Sequence, residues 1–86
     1  MRVTIISPDK SLYDAEATSV IAPAFDGEVG ILARHAPFMT LLGSGRLVVR
    51  RGDETATFTV HGGLLQVRDD VVRVVTEQAQ GDTHAS

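Results

Sequence analysis

Residues 54–60 read ETATFTV, and the alternation within this heptapeptide decides the fold. Ala56, Phe58 and Val60 fall on one face and Thr55, Thr57 and Thr59 on the other, the period of two expected of a half-buried strand. Such alternation belongs to antiparallel sheets that keep one face in water. Just upstream, residues 46–51 (RLVVRR) reach this strand through Gly52 and Asp53. Residues 45–60 therefore read as a hairpin, with Leu47 and Val49 facing inward and Arg46 and Arg50 outward.

Turn signals recur on both sides of the hairpin, at Pro8-Asp9, Asp26-Gly27, Ala36-Pro37, Gly43-Ser44-Gly45 and Asp69-Asp70. Between them lie further runs of strand length. Residues 2–7 and 16–23 each end near a proline, which cannot continue a ladder, and residues 64–68 add another run after Gly62-Gly63. That double glycine reads as a bulge or bend. In residues 71–77 (VVRVVTE), Val72 and Val74 make one face while Val71 and Val75 flank Arg73 on the other, which predicts a strand covered on both sides. No window carries apolar residues at helical spacing without a Gly or Pro interrupting it. Six or more short strands with close turns predict an all-β sandwich or small barrel. Residues 78–86 (QAQGDTHAS) offer only two alanines to a core and read as a frayed, flexible polar tail.

Composition narrows the function classes. An 86-residue chain has surface enough to bury for one small core, so it reads as one domain. Without cysteine there is no disulfide, thiolate metal site or thiol nucleophile. The first largely apolar run, residues 3–6 (VTII), is four residues, too short for a signal peptide, and no segment has the length to span a bilayer; a membrane role would come through a partner. Eight basic against eleven acidic side chains argue against a general nucleic-acid binder.

Candidate chemistry fares poorly. His35, His61 and His84 lie on separate segments without ligand spacing, so no metal site is expected. Ser44, His35 and Asp26 make a triad on paper, yet no nucleophile-elbow sequence surrounds the serine. Residues 27–30 (GEVG) are too short for a phosphate loop and have no helix behind them. Arg46, Arg50 and Arg51 form a basic cluster that reads as a solvated strand face, with a polar partner's surface as the alternative. Residues 27–39 (GEVGILARHAPFM) remain: Val29, Ile31 and Leu32 can anchor this stretch, Pro37 biases Ala36 toward extended backbone, and Glu28, Arg34 and His35 are left to face outward. This is the pattern of a binding module rather than an enzyme.

In order, SP at residues 7–8, VIAP at 20–23, GEVGILARHAPF at 27–38, GSGRLVVRR at 43–51, TFTVHGGLLQV at 57–67 and VVRVVTE at 71–77 resemble the amino-terminal domain of the epsilon subunit of the rotary ATP synthase. The resemblance runs over residues 2–79 and implies a flattened antiparallel β-sandwich of about ten short strands over residues 1–79, with 80–86 as the tail. It implies a noncatalytic central-stalk rotor subunit with no cofactor, peripheral to the inner (plasma) membrane on the cytoplasmic side. Such a subunit binds gamma and the c-subunit ring, so that rotation driven by proton or sodium flow is coupled to ATP synthesis. Carried over position by position, the ring contact falls on Glu28, Arg34 and His35, and the gamma contact on Ser7, Met39 and Arg46. Arg46 departs from the apolar residue that can stand there in relatives. Val71 and Val75 are apolar groups that could join the gamma interface. Most members of the family continue into a carboxy-terminal helical hairpin, and this sequence stops after Glu77 and a short polar stretch. The competing reading is a free-standing small β module for an acidic ligand or single-stranded nucleic acid, held by Arg46, Arg50 and Arg51, although it lacks an aromatic stacking platform. A hydrolase using His35 ranks third.

Overall fold

The computed structural model describes residues 1–77 and 79–82 and contains eight strands among them: β1 (Arg2–Ile6), β2 (Ser11–Glu16), β3 (Ser19–Ala24), β4 (Gly27–Leu32), β5 (Phe38–Arg51), β6 (Glu54–Arg68), β7 (Val71–Val75) and β8 (Ala79–Asp82). The hairpin expected at residues 45–60 is present, with Arg51 opposite Glu54, and Leu47 and Val49 fully buried. It is only half of a longer hairpin. β5 has 14 residues and β6 has 15, so either strand would run about 50 Å if straight. The whole molecule measures 28 × 27 × 23 Å, and the pair must therefore bend.

The bend falls where the glycines are. Gly43 and Gly45 stand on β5 and Gly62 and Gly63 on β6, with Leu42 opposite Gly63 and Ser44 opposite His61. Gly62 and Gly63 have φ of 76° and 125°, a region closed to most side chains. Folding the hairpin there makes two layers. In the first, the order is β2, β1, β7, the second half of β6 and the first half of β5. In the second, β8 flanks the first half of β6, followed by the second half of β5, β3 and β4. Counted by layer there are ten strand segments, because β5 and β6 serve both. β2 and β4 end the order unpaired with each other, so the sheet is a sandwich rather than a closed barrel. β1 pairs with β7 in parallel; the other pairings are antiparallel.

The core lies between the layers. Val3, Ile5, Leu65, Val67, Val72 and Val74 enter from the first, and Val20, Ala22, Ile31, Leu47, Val49, Phe58 and Val60 from the second. Tyr13 meets Phe58 edge to face across the gap, with ring centroids 5.7 Å apart. Thr76 is the buried polar residue among the described residues, and its hydroxyl donates to the Gly62 carbonyl at 2.9 Å.

Several boundaries differ from the sequence reading. Residues 11–16 form a strand of their own, and the run expected at 16–23 starts only at Ser19. Pro23 lies inside β3 rather than ending it. Its missing N–H is tolerated because the β3–β5 register breaks between Ile21 and Ala24. The tail expected to fray from residue 78 instead supplies β8, which pairs residues 79–82 with β6 through backbone bonds that need no apolar side chain. The sandwich thus extends past Ala79 to Asp82. Gln78 and residues 83–86, including His84 and the rest of the expected tail, lie outside the described residues.

Candidate partner-binding surfaces

Residues 27–39 are not one loop. The first six form edge strand β4, paired with β3 so that Glu28 lies opposite Pro23 and Leu32 opposite Ser19. Glu28 is exposed near the start of β4, whereas Arg34 and His35 occupy the turn after its end. Leu32 lies four strand positions beyond Glu28, about 13 Å, so the structure does not gather the three into one constellation. Anchoring also differs from expectation. Ile31 is buried and Val29 half-buried, but Leu32 is 66% exposed because it points away from the sandwich interior.

The turn itself is held firmly. Arg34 takes φ of 66°, and its amide donates to Asp70 Oδ1 at 2.8 Å, while the His35 amide donates to the Leu32 carbonyl at 3.2 Å. His35 Nδ1 stands 2.7 Å from the Ala36 carbonyl oxygen. A carbonyl can only accept, so Nδ1 carries the proton and Nε2 is left for a partner. The imidazole also packs edge-on to Phe38 at 5.8 Å. His35 is therefore half-buried and partly structural, not wholly free, while the Arg34 side chain is exposed.

Ser7, Met39 and Arg46 are likewise dispersed. Ser7 closes the β1–β2 turn through mutual backbone bonds with Lys10 at 2.9 and 3.3 Å. Met39 is 58% exposed on the outer face of the first layer. Arg46 is exposed beyond the bend, on the outer face of the second layer opposite Thr59. Arg46 and Arg50 share that face, again about 13 Å apart, with threonines rather than aromatic rings beside them. That spacing does not make a stacking groove for nucleic acid.

The sequence reading missed an apolar row on the surface. Ile6 pairs with Val75, Val75 with Leu64 and Leu64 with Leu41, so four strands line up one apolar row on the outer face of the first layer. Ile6, Val75 and Leu41 are 37%, 40% and 59% exposed, and Met39 lies two residues along β5 from Leu41. Pro8, Leu41, Leu64, Val75 and Glu77 line a shallow groove there. Beside the row, Arg73 faces Gln66 and Thr4 and has no ion pair among the described residues. Val75 had drawn notice in the sequence; Val71, its companion, is half-buried. The cover expected over this face is not supplied by the described residues, so β7 is buried on one side and exposed on the other.

An open apolar face on a two-layered sheet, with surface charges dispersed around it, defines a class: a small all-β domain with an uncovered outer face. The family profile described as ATP synthase, Delta/Epsilon chain, beta-sandwich domain matches residues 1–82, and the chain belongs to that family. It is 39% identical over 77 residues to an ATP synthase epsilon chain of Leptospira borgpetersenii serovar Hardjo-bovis (strain JB197), covering 90% of this chain and 61% of the relative. Another ATP synthase epsilon chain, from Synechococcus sp. (strain PCC 6716), is 40% identical over 84 residues, covering 96% and 61%. The chain thus spans about three fifths of the length of the curated relatives it matches. Among solved structures, a chain of the Euglena gracilis mitochondrial ATP synthase, determined as OSCP/F1/c-ring in rotational state 1, superposes with a TM-score of 0.85 at 27% identity, covering 92% of this chain and 51% of that one. A chain of the Tetrahymena thermophila mitochondrial ATP synthase central stalk and c-ring gives 0.80 at 17% identity, covering 92% and 64%, a likeness of fold.

Proposed function

We propose that this chain is a noncatalytic rotor domain of a rotary ATP synthase, a rigid piece of the central stalk that joins the gamma subunit to the c-subunit ring. What carries the reading is a coincidence: membership of the delta/epsilon family over residues 1–82, and an uncovered apolar row on one outer face of the domain. An interface that must hold against torque needs a packed apolar centre, and the row at Ile6, Val75, Leu64 and Leu41 is the chain's candidate for it. It adjoins Ser7 at the end of β1 and Met39 on β5, two of the positions assigned to gamma by resemblance. Arg46 lies on the other layer and would meet gamma only if that subunit wraps the edge.

The ring would meet the β4 edge and the turn that follows it. Glu28 near one end of β4 and Arg34 with His35 past the other make two separated polar contacts, a spacing that favours register over raw affinity. The domain would sit beside the membrane through the complex, on the cytoplasmic face, and would pass on rotation driven by protons or sodium ions without doing chemistry itself.

Co-purification tests the reading. Mixed at low salt with the gamma subunit from the same source, the chain is expected to form a stable complex that then captures the ring. Absence of any complex with gamma under those conditions would overturn the assignment. Glu28→Lys is expected to leave the fold intact, since an exposed edge-strand charge contributes within about 0.5 kcal/mol, and to weaken coupling of ion flow to ATP synthesis.

A further inference from the structure

We infer that Asp70 is a positioning residue for the Arg34–His35 turn; the inference rests on the proposed ring contact of that turn. Asp70 is the second residue of the tight β6–β7 turn, where Arg68 pairs with Val71, and it is remote in sequence from the turn it holds. Its Oδ1 accepts the Arg34 amide at 2.8 Å, its Oδ2 lies 3.7 Å from the Met1 ammonium, and its own carbonyl accepts the Arg2 amide at 3.0 Å. One residue thereby joins the turn before β5, the turn before β7 and the start of β1.

The bond falls at the place where the turn needs help. Arg34 has φ of 66°, a conformation that a β-carbon disfavours, and an outside acceptor on its amide offsets that cost. Asp70 has φ of 62° within the hairpin, and its second carboxylate oxygen faces the Met1 ammonium, which favours the orientation that meets Arg34. With the Arg34 backbone pinned, its side chain departs from one fixed Cα–Cβ direction, and the His35 amide reaches the Leu32 carbonyl. A loop held in its bound shape loses less conformational freedom on docking. The arrangement also has a mechanical consequence. β7, which starts at the next residue, carries Val75 of the apolar row, so Asp70 lies on a short path between the two proposed contact surfaces.

Two substitutions separate positioning from mere folding. Asp70→Asn keeps an acceptor at the Oδ1 position. Asp70→Gly removes it but suits φ of 62°, so the β6–β7 turn itself is not weakened. Amide hydrogen exchange on the 86-residue chain is expected to show Arg34 exchanging roughly tenfold faster in Asp70→Gly than in the wild type and Asp70→Asn, while Val72 and Val74 keep their protection. Binding to the gamma–ring assembly is expected to weaken by roughly three- to tenfold in Asp70→Gly and to recover in Asp70→Asn. Equal Arg34 exchange in all three chains, or equal binding by Asp70→Gly and wild type, overturns the inference. Should Asp70→Gly not fold, the wild-type amide decides: exchange at the rate of an unstructured chain overturns it, and slowed exchange supports it. A wild-type chain that binds no ring overturns the proposed function and with it the docking role, while the Arg34 exchange rates still report whether Asp70 holds the turn.

Discussion

A β-carbon at Gly63 would collide with the carbonyl oxygen of Val75 and come within 2.8 Å of Thr76 Cα. Both obstacles are backbone, and φ of 125° is unfavourable to any side chain, so neither rotamer change nor a small shift relieves the clash. Gly63→Ala is expected to cost about 2–4 kcal/mol and to lower the thermal midpoint by roughly 10–30 °C, read by calorimetry. A loss within a degree or two would mean that the bend has slack. The sequence already marked this glycine pair as a bend within an extended pattern, because glycine inside a strand has few other uses. It could not reveal which backbone lies against Gly63. That neighbour, β7, arrives from twelve residues away.

At the scale of the element, the β6–β7 turn places Asp69 and Asp70 at φ of 53° and 62°, the paired left-handed conformation of a tight hairpin that favours Asn and Gly. Asp70 has a contact to justify it, whereas among the described residues Asp69 has only an exposed pairing with Arg68 at 3.7 Å. Asp69→Asn is therefore expected to stabilise by about 0.3–0.5 kcal/mol, seen as a higher urea midpoint with an unchanged slope. Lower stability would show that the Arg68 pair outweighs turn strain. Strands announced themselves unequally. The first half of β6 was legible because apolar and threonine positions alternate strictly. β4 was not, since its outer face reads Glu28, Gly30 and Leu32 and offers no contrast with Val29 and Ile31. β2 hid for a similar reason: half-buried Leu12, Tyr13 and Ala15 are mixed with Asp14 and Glu16. β8 is held mainly by backbone pairing, with Ala79 as its one apolar side chain against the core, too little to leave a hydrophobic pattern.

At the scale of the whole molecule, the apolar row exists only because four strands arrive in one register, so no local window could display it. It gives the two proposed contacts different physics. Leu41 is 59% exposed, and Leu41→Glu should change stability by no more than about 1 kcal/mol. If the row is the gamma contact, the same substitution desolvates a carboxylate inside an apolar interface and should weaken gamma binding by at least roughly tenfold, with little relief from added salt. A charge reversal at Glu28 should behave in the opposite manner. That contact is polar and exposed, so its effect on ring association should appear mainly in the on-rate and fade as ionic strength shortens the screening length from about 10 Å at 0.1 M toward 3 Å at 1 M. Measuring both variants against gamma and against the ring, at low and high salt, therefore separates the surfaces. Loss of gamma binding in Leu41→Glu with normal ring capture, and the converse for Glu28→Lys, is the expected pattern. If both variants lose the same partner, the two outer faces are not independent and a rigid wedge between two partners is the wrong mechanical description.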